Sequence, residues 1–203
     1  MLEYISGKVA ELNPAFAVLD NHGIGYMLNI SLTTYDELNA KLARNNDEPQ
    51  RLYVHEAIRE DAHLLFGFYT KRERELFLLL ISVSGVGPNT ARVILSSLNP
   101  ADLEQAIAAE NVAALKAVKG IGAKTAQRII VDLRDKIKVA SVTLLENSDA
   151  NAGGASHAMD EALAALVMLG FPQAASLKAL KQLFKNNPAT TAEQAIKQAL
   201  KML

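Results

Sequence analysis

Hydrophobic positions in the first third of the chain alternate with polar or small ones, which is the period of a half-buried β-strand. The alternation is clearest from Ile24 to Leu32. Four other segments have strand character: 4–12, 16–19, 51–58 and 64–69. A short helix capped by Thr33 or Thr34 is predicted to run to Leu42. Five strands with one short helix predict a closed β-barrel of the OB type over residues 1–66.

From residue 67 onward the hydrophobic positions recur at helical spacing, and this segment contains an internal repeat. A shift of 35 residues superimposes the pairs Leu80/Leu115, Val83/Val118, Gly85/Gly120, Gly87/Gly122, Thr90/Thr125, Ala91/Ala126, Ile94/Ile129 and Leu98/Leu133. In each copy an apolar helical run meets a Gly-x-Gly turn, and a second apolar run follows. The pattern predicts two helical hairpins within residues 67–140.

The two Gly-x-Gly turns, Gly85 to Gly87 and Gly120 to Gly122, have two interpretations. A tight helical turn needs glycine wherever φ is positive, so no ligand is required to explain them. Alternatively, a missing Cβ lets another backbone approach, and the first turn of the next helix offers unpaired N–H groups to an anion. Lys124 and Thr125 stand at that point in the second copy. Two copies in register favour phosphate binding that is independent of base sequence.

Two nucleotide-binding motifs fail at these turns. A P-loop needs glycine directly before Lys-Ser/Thr and another glycine five residues earlier, where this chain has Ala123 and Val118. The dinucleotide-binding pattern fails because Thr90 replaces the third glycine and a helix, rather than a strand, precedes the turn.

Charge is distributed unevenly, although the 203 residues have a net charge of only −1. Residues 1–66 contain 5 Lys and Arg against 10 Asp and Glu, whereas residues 67–138 contain 11 against 7. Because electrostatic binding is a local matter, the basic repeat is compatible with a nucleic-acid partner.

The remaining composition narrows the class of protein. The chain has no Cys, which excludes disulfides and thiolate zinc sites. Its four His are widely spaced, so neither a metal site nor a cofactor is predicted. There is no uninterrupted apolar stretch of about 18 residues and no signal-like N-terminus. A soluble, cytoplasmic protein without membrane association is expected.

Glu60 and Asp61 lie in the predicted turn between the last two strands. Acidic residues are common at solvated hairpin tips. Paired carboxylates could instead hold Mg²⁺ for phosphodiester cleavage. Neighbouring side chains in a turn point apart, however, and no further carboxylate cluster supports them, so no catalytic residue is predicted.

The C-terminal part of the chain is predicted to be a tethered helical unit. Residues 141–156 end in a small, polar, glycine-containing stretch that is typical of a flexible linker. Three short helices follow within residues 157–203, which is a small number of residues for a hydrophobic core. Leu166, Leu169 and Phe171 have the spacing of core residues, but the tether favours a docking surface for a partner.

Four segments, taken together, make the chain resemble the RuvA family, the junction-binding subunits of the bacterial RuvAB branch-migration complex. They are Arg59-Glu60-Asp61-Ala62-His63-Leu64-Leu65-Phe66-Gly67-Phe68, Gly85-Val86-Gly87-Pro88, Gly120-Ile121-Gly122-Ala123-Lys124-Thr125-Ala126 and Ala164-Ala165-Leu166-Val167-Met168-Leu169-Gly170-Phe171. The resemblance covers essentially the whole chain and implies an α+β multidomain fold. Its parts would be an OB-like barrel (1–66), a tandem helix-hairpin-helix DNA-binding domain (67–140), a flexible linker (141–156) and a C-terminal three-helix bundle (157–203).

The resemblance also implies a function for each part. A homotetramer, or an octamer of two tetramers, would hold a four-way (Holliday) junction open, with the hairpins gripping phosphates without reading bases. Glu60 and Asp61 would form an acidic pin that repels phosphates near the junction centre. The tail, through Leu166, Leu169 and Phe171, would bind RuvB, the hexameric ATPase that drives branch migration. The resemblance also implies the RuvC resolvase as a partner. The process would be DNA recombination and the repair of DNA damage during the SOS response.

Two positions depart from the family pattern, because members often have Lys where this chain has Asn89 and Ala123. Phosphate binding should then depend more on backbone N–H groups, and each lost cation would lower the salt dependence by roughly one phosphate equivalent. The predicted phosphate-binding residues are Gly85, Gly87, Asn89, Thr90, Lys119, Gly120, Gly122, Lys124, Thr125 and Arg128. With no P-loop, the chain itself is expected to be non-catalytic and to lack ATPase activity.

Two other classes of protein remain as alternatives. A helix-hairpin-helix glycosylase or nuclease would use Asp132 or Asp135 as its carboxylate. Such enzymes have one hairpin beside a base pocket, whereas this chain repeats the hairpin and has no Trp to line a pocket. A scaffold without DNA binding is the other alternative, and the basic repeat argues against it.

Overall fold

A computed structural model of the chain describes the backbone of residues 2–45, 47–148, 154–187 and 190–202. Side chains are described for the same residues except 138–148, 154–157 and 186. The chain forms two compact units, Met1–Thr143 and Leu144–Leu203.

Five strands form a closed barrel at the N-terminus: β1 (Tyr4–Asn13), β2 (Phe16–Asn21), β3 (Ile24–Asn29), β4 (Gln50–Ile58) and β5 (His63–Phe68). Their order is β1-β2-β3-β5-β4, and every neighbouring pair is antiparallel except β3 with β5. Alternate residues along the strands form the barrel core, which includes Ile5, Ala17, Leu19, Leu28, Leu52 and Val54. The predicted OB-like barrel is confirmed.

Helix α1 (Leu32–Leu42) connects β3 to β4 and buries Leu38 in the barrel core. Its N-cap is Ser31, whose hydroxyl accepts a hydrogen bond from the Thr34 N–H at 3.0 Å. The predicted cap at Thr33 or Thr34 is therefore wrong. Ser and Thr are both preferred as N-caps, so three such residues within four positions do not fix the start from sequence alone.

The middle of the chain is helical: α2 (Lys71–Ile81), α3 (Pro88–Ser97), α4 (Pro100–Ala108), α5 (Val112–Lys116) and α6 (Ala123–Ser148). Helices α2 and α3 form the first hairpin, α5 and α6 form the second, and α4 connects them. Their apolar faces make one core, to which β5 contributes Phe66 and Phe68. The rings of these two residues lie 5.2 and 4.8 Å from the ring of Phe77 in α2, so the hairpins and the barrel share this core. The predicted tandem of helical hairpins is confirmed.

A buried carboxylate also joins the barrel to the helices. Glu73, in the first turn of α2, is only 1 % exposed. It accepts hydrogen bonds from the hydroxyls of Ser31 and Thr34 and, at 3.3 Å, from the Tyr69 N–H. Burial raises the pKa of Glu73, and these three hydrogen bonds oppose the rise. Because Ser31 and Thr34 belong to the start of α1, the network fixes α2 against α1.

The C-terminal unit contains three helices, α7 (Gly154–Met168), α8 (Gln173–Asn186) and α9 (Ala192–Ala199), as predicted. Its core is formed by Ala162, Leu166, Ala179, Leu180, Phe184, Ala195 and Ala199. The cap of α9 is Thr191, which accepts from the Gln194 N–H, and the neighbouring Thr190 is buried.

Helical backbone extends into the predicted linker of residues 141–156. Helix α6 continues to Ser148 and α7 starts at Gly154, while residues 149–153 lie outside the described residues. The boundaries of the four predicted domains remain predictions.

Candidate nucleic-acid interface

The two Gly-x-Gly turns have the same backbone conformation. Gly85 and Gly120 both have φ of 90°. Each turn is closed by the same two hydrogen bonds. In the first turn the Val86 N–H donates to the Val83 carbonyl at 3.0 Å and the Ala91 N–H to the Gly87 carbonyl at 2.9 Å. In the second turn the Ile121 N–H donates to the Val118 carbonyl at 3.1 Å and the Ala126 N–H to the Gly122 carbonyl at 2.9 Å. The repeat seen in the sequence is therefore also a structural repeat.

The glycines within each turn have different reasons to be glycine. The positive φ of Gly85 and Gly120 strongly disfavours any residue with a Cβ. Gly87 has an ordinary φ of −88°, so a positive φ explains glycine at position 85 but not at position 87. A Cβ added to Gly87 or Gly122 meets no atom within 4 Å. Packing does not require glycine at either position, and open space lies beside both backbones.

The helices that follow these turns start without the side-chain caps that begin α1, α2, α4, α5 and α9, and α8, which follows Pro172, also lacks one. Ser31, Thr70, Asn99, Asn111 and Thr191 each cap a helix by accepting a hydrogen bond from a backbone N–H. The N-cap of α3 is Gly87, and no side chain caps this helix. Helix α6 likewise follows a glycine, Gly122. Free N–H groups and the positive end of the helix dipole suit an anion at these positions.

Exposed cationic side chains lie around the second turn only, because Arg92, in the helix after the first turn, is half-buried. Lys119, Lys124 and Arg128 are all exposed there. The equivalent residues of the first turn, 35 positions earlier, are Ser84, Asn89 and Val93, none of which is charged. Arg128 also donates from Nη1 to the Ser84 carbonyl at 3.1 Å, which brings the second hairpin beside the first turn. Thr90 and Thr125 are half-buried in the first turns of their helices.

The predicted acidic pair lies at the tip of a different element, the β4–β5 hairpin. Glu60 and Asp61 are both exposed, and the turn is closed by a 2.8 Å bond from the Arg59 N–H to the Ala62 carbonyl. Below the tip, Glu56 lies 3.4 Å from His63 Nε2. A backbone hydrogen bond from Leu2 is the main cause that lowers the pKa of Glu56, with His63 contributing. Among the described residues, no group of three or more His, Asp or Glu is placed to hold a metal ion.

The carboxylates considered for an enzyme lie on a solvent-facing side of α6. Asp132 and Asp135 are both exposed, and Asp135 lies 3.6 Å from Arg134 Nε. Arg134 in turn pairs with Glu110. This arrangement resembles a solvated helix face rather than a catalytic pocket.

The three predicted tail residues differ in exposure. Leu166 is fully buried in the tail core, Phe171 is half-buried against it, and Leu169 is 61 % exposed. Leu166 cannot touch a partner while the tail is folded, because its side chain faces α8 and α9. Sequence reasoning missed two exposed apolar neighbours, Val167 at 43 % and Met168 at 89 %. Helical periodicity could have identified them as exposed, because the two positions after the core residue Leu166 point away from the core side of the helix.

Known protein families match three successive segments of the chain. A family model described as RuvA N terminal domain matches residues 1–67, and one described as SAM-like Helix-hairpin-helix tandem matches residues 77–135. A third, described as RuvA, C-terminal domain, matches residues 157–203. No helix among the described residues is both long enough and apolar enough to span a membrane.

Similar curated proteins extend over the full length of the chain. A protein from Parabacteroides distasonis is 55% identical over 203 residues, and one from Bacteroides fragilis is 53% identical over 208. A protein from Christiangramia forsetii is 43% identical over 203 residues. Each alignment covers 100% of both proteins, and each relative is named Holliday junction branch migration complex subunit RuvA.

Proposed function

The chain belongs to the RuvA family, and from that premise we propose that it is a non-catalytic subunit that binds four-way DNA junctions and holds them open for a motor ATPase. The observation that carries the proposal is the pair of identical Gly-x-Gly turns, each followed by a helix N-terminus without a capping side chain. Such turns present backbone N–H groups to phosphates, and phosphates are common to every DNA sequence.

The phosphate-binding surface combines two kinds of contact. In the first turn, Gly85, Gly87, Asn89 and Thr90 offer N–H groups and uncharged polar side chains. In the second, Gly120, Gly122 and Thr125 do the same, and Lys119, Lys124 and Arg128 add positive charge. Arg128, held beside Ser84, places one cation between the two turns. One duplex arm bound across both turns would be gripped without base readout, with an affinity that depends on salt.

Glu60 and Asp61 act in this proposal as a pin at the junction centre. Both are exposed at the end of a hairpin whose strands are fixed in the barrel. Two negative charges repel the phosphates of the strands that turn there, and so keep the central base pairs apart. The role is electrostatic and needs neither a metal ion nor a proton transfer.

The tail, predicted as residues 157–203, recruits the motor, a hexameric ATPase of the RuvB type. Val167, Met168 and Leu169 form an exposed apolar patch at the end of α7. Phe171 flanks the patch, and Leu166 supports it from the core. A small apolar patch on a tethered unit is suited to docking on a protein partner.

The working assembly is a fourfold homotetramer, or an octamer of two such tetramers, because a junction has four arms and one subunit can grip each. Once bound, it presents the junction to the motor and to the RuvC resolvase in DNA recombination and repair. These steps take place in the cytoplasm, where bacterial DNA lies.

The test is a binding titration with a four-way junction and with a linear duplex of the same arm sequence, at two salt concentrations. We expect a junction preference of at least about a hundredfold, roughly 2.7 kcal/mol, with affinity falling steeply as salt rises. The chain alone should neither hydrolyse ATP nor cleave the junction in Mg²⁺. Equal binding to both DNAs would contradict the proposal, and strand cleavage in Mg²⁺ would favour a nuclease.

A further inference from the structure

The helix that follows the first Gly-x-Gly turn is tied to the barrel by one arginine. Arg92, in α3, donates from Nη1 to the Ala15 carbonyl at 2.9 Å and to Asn29 Oδ1 at 3.3 Å. Ala15 lies in the turn between β1 and β2, and Asn29 is the last residue of β3. The same carbonyl of Ala15 accepts from the Ile30 N–H at 3.2 Å. Arg92 therefore joins α3 to two adjacent points at one end of the barrel.

Asn29 extends this connection to the strand that follows the acidic turn. Its Nδ2 donates to the Leu65 carbonyl of β5 at 3.1 Å. Strands β3 and β5 pair through only two residue pairs, Leu28 with Leu65 and Asn29 with Phe66. The side chain of Asn29 thus reinforces the shortest ladder of the barrel. A continuous hydrogen-bonded path runs from α3, through Asn29, to the strand that leads back to Glu60 and Asp61.

The other end of α3 is held as well. The Thr33 hydroxyl donates to the Leu95 carbonyl at 2.7 Å, and Ser96 Oγ accepts from the Leu32 N–H at 3.0 Å. Both groups belong to the first turn of α1. These contacts resist rotation of α3 about the Arg92 contact, because they lie one turn further along the helix.

The internal repeat shows that a hairpin does not need these residues for its own fold. The positions in α6 equivalent to Arg92 and Ser96 are Gln127 and Val131. Both are exposed, and Val131 is 77 % exposed. The second hairpin has the same turn geometry without an arginine there. Arg92 is thus a feature of the first copy alone, directed at the barrel.

We propose that Arg92 is a positioning residue that, through Asn29, sets the first phosphate-binding turn relative to the acidic hairpin. The inference rests on the proposed function. Duplex DNA is stiff over the length of one arm. The spacing between the gripping turn and Glu60 and Asp61 therefore decides whether the pin meets the crossover when the arm is bound. The affinity for a linear duplex, which has no crossover, does not depend on that spacing.

The test compares Arg92→Ala and Asn29→Ala with Gln127→Ala, the matched change in the second copy. Three quantities are measured in the full chain: affinity for linear duplex, affinity for a four-way junction, and fluorescence of 2-aminopurine placed at the crossover, which reports unpairing. We expect both barrel-side variants to keep duplex affinity within about twofold. Their junction affinity should fall about tenfold, the effect of losing a hydrogen bond to a charged group, and the fluorescence should fall with it. Gln127→Ala should change none of the three.

Asn29→Ala alters no charge, so its agreement with Arg92→Ala separates positioning from direct phosphate contact. If Arg92→Ala alone weakens duplex binding, and the salt slope falls by about one, Arg92 is a phosphate contact and the inference is overturned. Equal loss on duplex and junction, or no change on either, overturns it too. Should Arg92→Ala fail to fold by circular dichroism, Arg92→Lys decides. It keeps the charge on a side chain that is one bond shorter than the path to Arg92 Nη1, the atom that makes both hydrogen bonds, and must lower junction preference without lowering duplex affinity.

A wild-type chain without any junction preference would be a failure of the proposed function. That result is read on the unsubstituted chain, so it is distinguishable from a failure of this inference.

Discussion

The two Gly-x-Gly turns share one backbone and differ in their side chains. Gly85 and Gly120 have the same φ, and the residue after each, Val86 or Ile121, is buried in the common helical core. Only the second copy has exposed cations around its turn, at Lys119, Lys124 and Arg128. The residues that the two copies share therefore set the turn, and the charge placed around it can vary independently.

The helices after the two turns also face different surroundings. Arg92 in the first copy contacts the barrel, whereas the equivalent Gln127 in the second is exposed. We infer a division of roles, in which the first hairpin is fixed to the barrel and offers mainly backbone N–H groups. The second faces outward and provides most of the electrostatic attraction.

Removal of the three cations should produce the largest effect. In Lys119→Ala/Lys124→Ala/Arg128→Ala, we expect duplex affinity at low salt to fall on the order of a hundredfold, and the salt slope to fall by about three phosphate equivalents. The matched control is Lys178→Ala/Lys181→Ala/Lys185→Ala, three exposed lysines of the tail with the same total charge. An equal loss in the control would mean that net charge, rather than the second turn, governs binding.

Alanine in place of the positive-φ glycines should change a free energy by less than the removal of the three cations does. The loss of stability should be the same in both copies. Gly85→Ala and Gly120→Ala should each lower the free energy of unfolding by about 1–2 kcal/mol, because a Cβ is disfavoured in the left-handed region. Urea unfolding of the full chain measures this. A difference of more than about 1 kcal/mol between the two variants would show that the turns are not equivalent in energy.

A cation added to the first turn should reduce the difference in positive charge between the two turns. Asn89 occupies the position equivalent to Lys124 and is exposed, so Asn89→Lys should raise duplex affinity about threefold and steepen the salt slope by about one. Titrations at several salt concentrations check both numbers. An unchanged slope would place residue 89 away from the phosphates.

The smallest effect on stability is expected at the glycines with open space beside them. Gly87→Ala and Gly122→Ala should change the free energy of unfolding by less than about 0.5 kcal/mol, because the added Cβ meets no atom within 4 Å. Any loss of DNA affinity in these variants would then come from a changed contact with DNA. A large loss of stability would instead show that glycine is needed at these positions for folding.

Periodic features of this fold were predictable from the sequence. The alternation from Ile24 onward indicated the barrel, and the glycines repeated at an interval of 35 residues indicated the hairpins. The alternation depends on residues within one strand, and the repeat consists of two copies of a pattern that is itself local to one turn. The sequence also indicated that only the second turn has Lys beside its glycines.

Features that depend on contacts between distant residues were not predictable. Arg92 and Asn29 are 63 residues apart, and no periodic pattern connects them. Glu73 lies in a highly charged helical turn, yet it is buried because Ser31 and Thr34 offer hydroxyl donors to it. The sequence did not determine whether Leu166 is a core or a surface residue. It is a core residue because it packs with residues of α8 and α9.

The buried carboxylate of Glu73 has a consequence for the acid response of the protein. Burial raises the pKa of Glu73 above its ordinary value, so the folded chain binds this proton more tightly than the unfolded chain does. Its contribution to stability is present in full below the unfolded pKa and is lost as pH rises through the folded pKa. Ion-paired carboxylates such as Glu193, whose pKa is lowered by Lys197, behave in the opposite sense. As pH falls, Glu73 should therefore add to the free energy of unfolding while the surface ion pairs lose their contribution.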